Sequence, residues 1–244
     1  MLPRFDVDVR VGDINAGLLR VVWTDEVTYD GIGDNRAYAD VTGADWSNVG
    51  QVIEAEAALL QTAAATALDA TDFDRTVDRF MDDHYPGEDI DEGPLSEFAM
   101  LDVGVMAAVA ALSAAGAVST TSCRGHSDHG EPNPLVRFTA DEHRLPLIRD
   151  ACARSGSGLL LDHLGMLQLY AADALTLVEF ARGMVELRDR FDTINSDVAC
   201  DRPSDDLLDN YGADLRRRDL YVIWEQTPAD QRVECTGQLS FDDM

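Results

Sequence analysis

The sequence predicts an α+β fold, with helices packed on one face of a largely antiparallel sheet. Short strand-like runs, the first of them with period-two alternation, are interleaved with segments whose apolar residues recur every three or four positions. Through the central part these run in the order helix, strand, strand, helix, strand, strand, helix. The chain has 244 residues and 45% apolar content, ample for a buried core.

Taken in order, Phe5, Val7, Val9 and Val11 alternate with Asp6, Asp8 and Arg10, the pattern of a half-buried strand. Leu18 to Trp23 is expected to pair with it as a hairpin around the turn at 12–17, and 24–50 to run as surface loop. Val49, Val52, Ile53, Leu60, Ala63 and Ala67 recur at helical spacing over about 48–68, with Asn48 as the expected cap. A second, acidic helix is expected over 72–83, presenting Phe73, Val77 and Phe80. The segment 82–94 lacks periodicity and reads as a linker.

Leu101, Val105, Val109 and Leu112 then share a helical face that stops at Gly116. Strands follow at 117–122 and 135–139. Leu145, Ile148 and Cys152 mark a helix that Pro146 starts and Gly156 ends. Strands at 158–163 and 166–170 flank Leu164-Gly165, and Asp173 is placed to cap a helix carrying Leu177, Phe180, Met184 and Leu187. Beyond Phe191, 220–224 and 232–241 read as two strands, or the first as the end of a helix. The expected organisation is 1–94 as hairpin plus helices, 95–192 as the central α+β unit and 193–244 as a C-terminal extension, or all three in one compact domain.

Charge restricts the partners. The chain has 46 acidic residues against 19 arginines and no lysine, a net charge of −27. Such a surface repels a phosphate backbone, which disfavours direct nucleic-acid binding. GC-rich coding or a salt-rich cytoplasm accounts for the acidity without a partner. The alternative is a non-catalytic interaction protein, an immunity or defence component or nucleic-acid mimic, whose carboxylates engage a basic protein partner. No apolar run has membrane-spanning length, since Asp102, Gly104, Ser113 and Gly116 interrupt the longest. The start lacks a secretory pattern, so the expected location is cytoplasmic. Cys123, Cys152, Cys200 and Cys235 form no CxxC pair, which argues against a zinc ribbon or a disulfide scaffold.

The chemistry-bearing residues gather on one turn, Thr120 to Gly130, at the end of the expected strand 117–122. Cys123, His126 and His129 have the spacing C-x2-H-x2-H, which suits zinc, and His163 or His143 could add a fourth ligand. A second reading makes Cys123 a nucleophile, its thiolate favoured by Arg124 and His126, with His126 or His129 as the acid/base group and Asp128 orienting a histidine. A third has Thr120, Thr121, Ser122 and Arg124, with the amides around Gly125, holding an anion or small molecule. All three are expectations for one site.

Leu101 to Gly116, then Thr120-Thr-Ser-Cys-Arg-Gly-His126 and Pro134-Leu-Val-Arg-Phe138, resemble a family of uncharacterised prokaryotic proteins. Its members carry a helix with an "aLsaaG" stop, an "SCxGG" or "SCxGH" turn and a "PlVaF" strand. The resemblance covers about 98–187 and implies a shared α+β domain; it makes Ser122, Cys123 and Gly125 the firmest members of the turn. The Thr-Thr-Ser-Cys-x-Gly string is also similar, over fewer than ten residues, to a turn in tRNA wybutosine-synthesis methyltransferases, where it lies near the substrate and S-adenosylmethionine site.

Overall fold

The structure is a computed structural model and describes residues 1–19, 38, 41, 43–85, 93–126, 133–162 and 165–194. Among them are six α-helices and a four-stranded antiparallel sheet, the α+β fold read from the sequence. In chain order the elements are α1 (Trp46–Thr66), α2 (Ala70–His84), α3 (Met106–Ala114), β1 (Val118–Cys123), β2 (Leu135–Thr139), α4 (Leu145–Ser155), β3 (Gly158–Leu161), β4 (Leu167–Tyr170), α5 (Ala174–Glu186) and the single turn α6 (Arg188–Phe191). The strand order is β1-β2-β4-β3.

The unit helix, strand, strand therefore occurs twice, and the two copies meet at β2 and β4. They join in an antiparallel ladder that pairs Leu135 with Tyr170, Val136 with Leu169, Arg137 with Gln168 and Phe138 with Leu167. Each copy passes from helix to strand through a left-handed glycine, Gly116 at φ +79° and Gly156 at φ +76°. Each also carries a left-handed glycine in its hairpin connection, Gly125 at φ +79° and Gly165 at φ +76°.

Val136, Phe138, Leu159, Leu161, Leu167 and Leu169 join the helices in one hydrophobic cluster that extends from Ile14 to Phe191. Helix α5 packs against α1, α3 and α4, and α1 against α3, so the helices of 1–94 share a continuous core with the central unit. Helix α3 is apolar on every side and buried throughout 106–113, the pattern of a helix enclosed by its neighbours. Leu177, Phe180 and Met184 of α5 are buried, and Asp173 caps that helix by accepting from the Thr176 amide at 3.0 Å. Cys152 is fully buried, and Trp46 holds the rim, its ring beside Phe191 and its Nε1 donating to Asp192 at 3.0 Å.

Several sequence expectations need correction. The cap of α1 is Asp45, which accepts from the Ser47 amide at 2.7 Å, and Asn48 lies inside the first turn. Leu101 and Val105 precede α3, because Gly104 at φ +111° interrupts the helical path. Helix α2 starts at Ala70, ahead of the expected 72, and runs on through His84, so the overlap of the expected helix and linker at 82–83 is helical.

Residues 5–11 have the alternating exposure that their pattern implies, but they form no strand beyond an isolated bridge at Val11. Their neighbour, however, is β3: Val11 bridges Leu159 in parallel, with Leu159 N donating to Arg10 O at 3.0 Å and Gly12 N to Leu159 O at 2.8 Å. Leu18, the expected start of the partner strand, lies in a 3-10 turn, Ala16–Leu18. The Tyr170 hydroxyl fastens the same segment, donating to Asp8 O at 3.0 Å and accepting from Arg10 N at 3.1 Å. The expectations for 20–23, 24–37 and 195–244, with Trp23, Cys200, Cys235 and Trp224, lie outside the described residues, as does most of the expected linker.

Candidate functional site

Strand β1 ends at Cys123, paired with Leu135 at the start of β2. The chain then turns sharply at Gly125, whose left-handed φ suits a residue without a side chain. A Cβ there would stand 2.5 Å from the Asn133 carbonyl carbon and 2.8 Å from Pro134 N. The outgoing and returning chains thus touch at the base of the loop, and the turn is held at both ends.

Folding back at Gly125 aims its amide at the Cys123 sulfur, 3.3 Å away, and returns the His126 ring toward the same spot. Asp102, from the connection before α3, completes the group. Its Oδ2 accepts from Arg124 N at 3.1 Å and lies 3.3 Å from His126 Nε2. The Cys123 sulfur, a ring nitrogen of His126 and a carboxylate oxygen of Asp102 all fall within 4.8 Å of one another. Cys123 is buried, and Asp102 and His126 are partly buried.

The electrostatics differ from the thiolate activation expected of Cys123. Burial pushes its thiol above the ordinary value, the Gly125 amide draws it down, and the Asp102 carboxylate disfavours a second negative charge. Arg124 does not offset this. Its guanidinium turns to α2, with NH2 donating to Asp78 Oδ1 at 2.8 Å and Nε 3.3 Å from Asp74 Oδ1. Burial raises the Asp74 carboxyl, while Arg124 and His126 lower it. On the other side, the Tyr38 hydroxyl and Ser122 Oγ are 2.8 Å apart, and burial raises the Tyr38 phenol.

Of the residues expected at the turn, Cys123 and His126 converge, Gly125 shapes the bend, Ser122 pairs with Tyr38, and Arg124 is engaged by two carboxylates. Thr121 lies further up β1, opposite Arg137. His143 follows β2 at the far end of the β1–β2 ladder from Cys123. His129 and His163 lie outside the described residues.

Sequence reasoning missed Asp102, Tyr38, Asp74 and Asp78 as neighbours of the turn. Asp102 did leave a trace, as an acid inside an otherwise apolar run. Comparison with family models, curated proteins and solved structures gives no significant match to this chain.

Proposed function

We propose that this is a metal-binding protein, in which Asp102, Cys123 and His126 hold a divalent transition ion of the zinc class. The carrying observation is the convergence of one sulfur, one imidazole nitrogen and one carboxylate oxygen within 4.8 Å. Donors around tetrahedral zinc stand about 3.3–3.8 Å apart, so side-chain adjustments of about 1 Å would close the group on an ion. The donor set is mixed and borderline-soft, which suits zinc over magnesium or calcium.

Two further features favour a metal over the nucleophile and anion readings. A thiol held protonated by burial and by Asp102 is a poor nucleophile near neutrality, whereas an arriving cation displaces the proton and neutralises both anionic donors. The Arg124 guanidinium, the cation an anion site would use, is committed to Asp74 and Asp78. Once the thiolate forms, the Gly125 amide already directed at its sulfur supports it.

The test is metal analysis of purified protein after zinc loading and desalting. One ion per chain is expected, lost in Cys123→Ser and in Asp102→Ala. A chain that retains no ion, or retains it in both variants, refutes the site. His129→Ala in the same series separates a site with four protein donors, which loses its ion, from one whose fourth position is left to water or a small-molecule ligand.

A further inference from the structure

We propose that Glu56 of α1 is a positioning residue for this site, presetting Asp102 by clamping the connection that carries it. The inference rests on the metal reading above and adds a residue outside the donor group. Glu56 is fully buried, and its carboxylate is directed at the backbone just beyond Asp102. Oε1 accepts from Gly104 N at 2.6 Å and Met106 N at 3.0 Å, and Oε2 accepts from Ala107 N at 2.9 Å.

Met106 and Ala107 open α3, so Glu56 supplies from another helix the cap that Val105 cannot offer. Gly104 lies two residues after Asp102. At φ +111°, its Cβ position is only 2.9 Å from Ala174 Cβ and 3.6 Å from Arg124 Cβ. The connection is therefore pinned by Glu56 and closely packed against α5 and the Cys123–His126 turn. That placement lets Asp102 meet both Arg124 N and His126 Nε2. A buried, charge-assisted clamp on the backbone beside a donor is an arrangement that raises affinity by preorganisation.

The test compares wild-type protein, Glu56→Gln and Leu60→Ala. Gln has the same shape but replaces one accepting oxygen with an NH2 facing a backbone donor. Leu60→Ala truncates a fully buried side chain one turn further along the same helix face and removes none of the clamp's acceptors, so it reports what loss of core packing beside Glu56 does by itself. The metal-free proteins are titrated with Co2+ at pH 8 and followed by the thiolate-to-cobalt absorption, with thermal midpoints measured alongside.

Glu56→Gln is expected to weaken Co2+ binding by about 10–100-fold and to alter the band, the size of effect seen when a supporting partner is removed. Leu60→Ala should lose thermal stability and keep wild-type affinity. Equal affinity and an unchanged band in Glu56→Gln overturn the proposal, as does a matching affinity loss in Leu60→Ala.

A second readout needs no metal: the alkylation rate of Cys123, resolved by peptide mass spectrometry. Release of Asp102 should speed it severalfold in Glu56→Gln and leave it unchanged in Leu60→Ala. If wild-type protein gives no cobalt band, the metal reading fails by itself, and this rate alone decides whether Glu56 positions Asp102; an unchanged rate overturns that role. Should Glu56→Gln fail to fold by circular dichroism, Glu56→Asp, which keeps the charge but withdraws it by one methylene, is put through the same measurements with the same expected losses.

Discussion

Gly125→Ala is the sharpest perturbation of the turn, because its cost has two separable parts. A side chain at φ +79° meets the left-handed penalty of about 1–2 kcal/mol. The added methyl would also stand 2.5 Å from Asn133 C, 2.7 Å from Asn133 Cα and 2.8 Å from Pro134 N, all backbone atoms. Relieving that overlap requires the two chains at the loop base to separate, at the 1–3 kcal/mol typical of overpacking. The expected loss is about 2–5 kcal/mol by urea denaturation, with zinc affinity falling as His126 moves away from Cys123. Gly156→Ala is the control, since φ is +76° there and a Cβ would meet nothing within 4 Å. It should cost only the conformational part, about 1–2 kcal/mol. Equal losses in the two variants, or a Gly125→Ala protein within 0.5 kcal/mol of wild type, would refute the account of the pinched turn.

Burial pushes the Glu56 carboxyl up to about 7 from an ordinary 4.5, so the folded chain holds that proton more tightly than the unfolded chain. The linked stability is complete below about pH 4.5 and lost as pH rises to about 7, roughly 3 kcal/mol in all; Glu56→Gln should remove this fall from denaturation curves across that range, and an unchanged profile contradicts it. Tyr170→Phe should cost about 1 kcal/mol and speed hydrogen exchange at Arg10 and Gly12 while leaving α5 protected, because the hydroxyl bonds Asp8 O and Arg10 N and so reinforces the backbone bonds that Leu159 makes to Arg10 and Gly12. Asp173→Ala should lose about 1 kcal/mol with zinc binding unchanged, since it removes the cap of α5 and touches no donor. Zinc affinity should rise with pH by about tenfold per unit while Cys123 remains a thiol, because binding must expel that proton; a flat titration would mean that Cys123 is not a donor.

What was legible in the sequence was whatever short-range spacing decides. Helix α5 shows both its cap and its buried stripe within fifteen residues, and the two hairpins of the sheet show short strand-like runs with left-handed glycines between strands. The start of α3 was illegible for a physical reason: 105–112 is apolar on every side, so the shared spacing of Leu101, Val105, Val109 and Leu112 marks no beginning, and the interruption is the conformation of Gly104. Period two in 5–11 showed which side chains face inward but carries no information on which strand lies beside the segment, and Leu159, the bridge partner of Val11, is far away in sequence. At the site, Cys123, Gly125 and His126 were legible because they share one turn. Asp102, Tyr38 and Glu56 come from three other segments, brought in by tertiary packing that no local pattern encodes.

The doubled helix-strand-strand unit explains how a carboxylate, a thiol and an imidazole come together at only one of the two hairpin ends described. In the second copy, Leu161 pairs with Leu167, and the turn closes on itself: Asp162 Oδ1 accepts from Met166 N at 2.9 Å, and Asp162 N donates to Met166 O at 2.8 Å. The matching place in the first copy has Cys123 opposite Leu135, followed by Arg124 where the other has Asp162. The acid that would close a short turn is thus absent from the strand end. Instead Asp102 reaches in from before α3 to take the Arg124 amide, leaving an oxygen facing His126 and Cys123. The connection is also longer, from Arg124 to Pro134, so its first residues fold back at Gly125 without having to enter β2 at once. One copy spends its acid on closing a hairpin, whereas the other borrows an acid from a neighbouring segment, and that substitution brings a carboxylate, a thiol and an imidazole together.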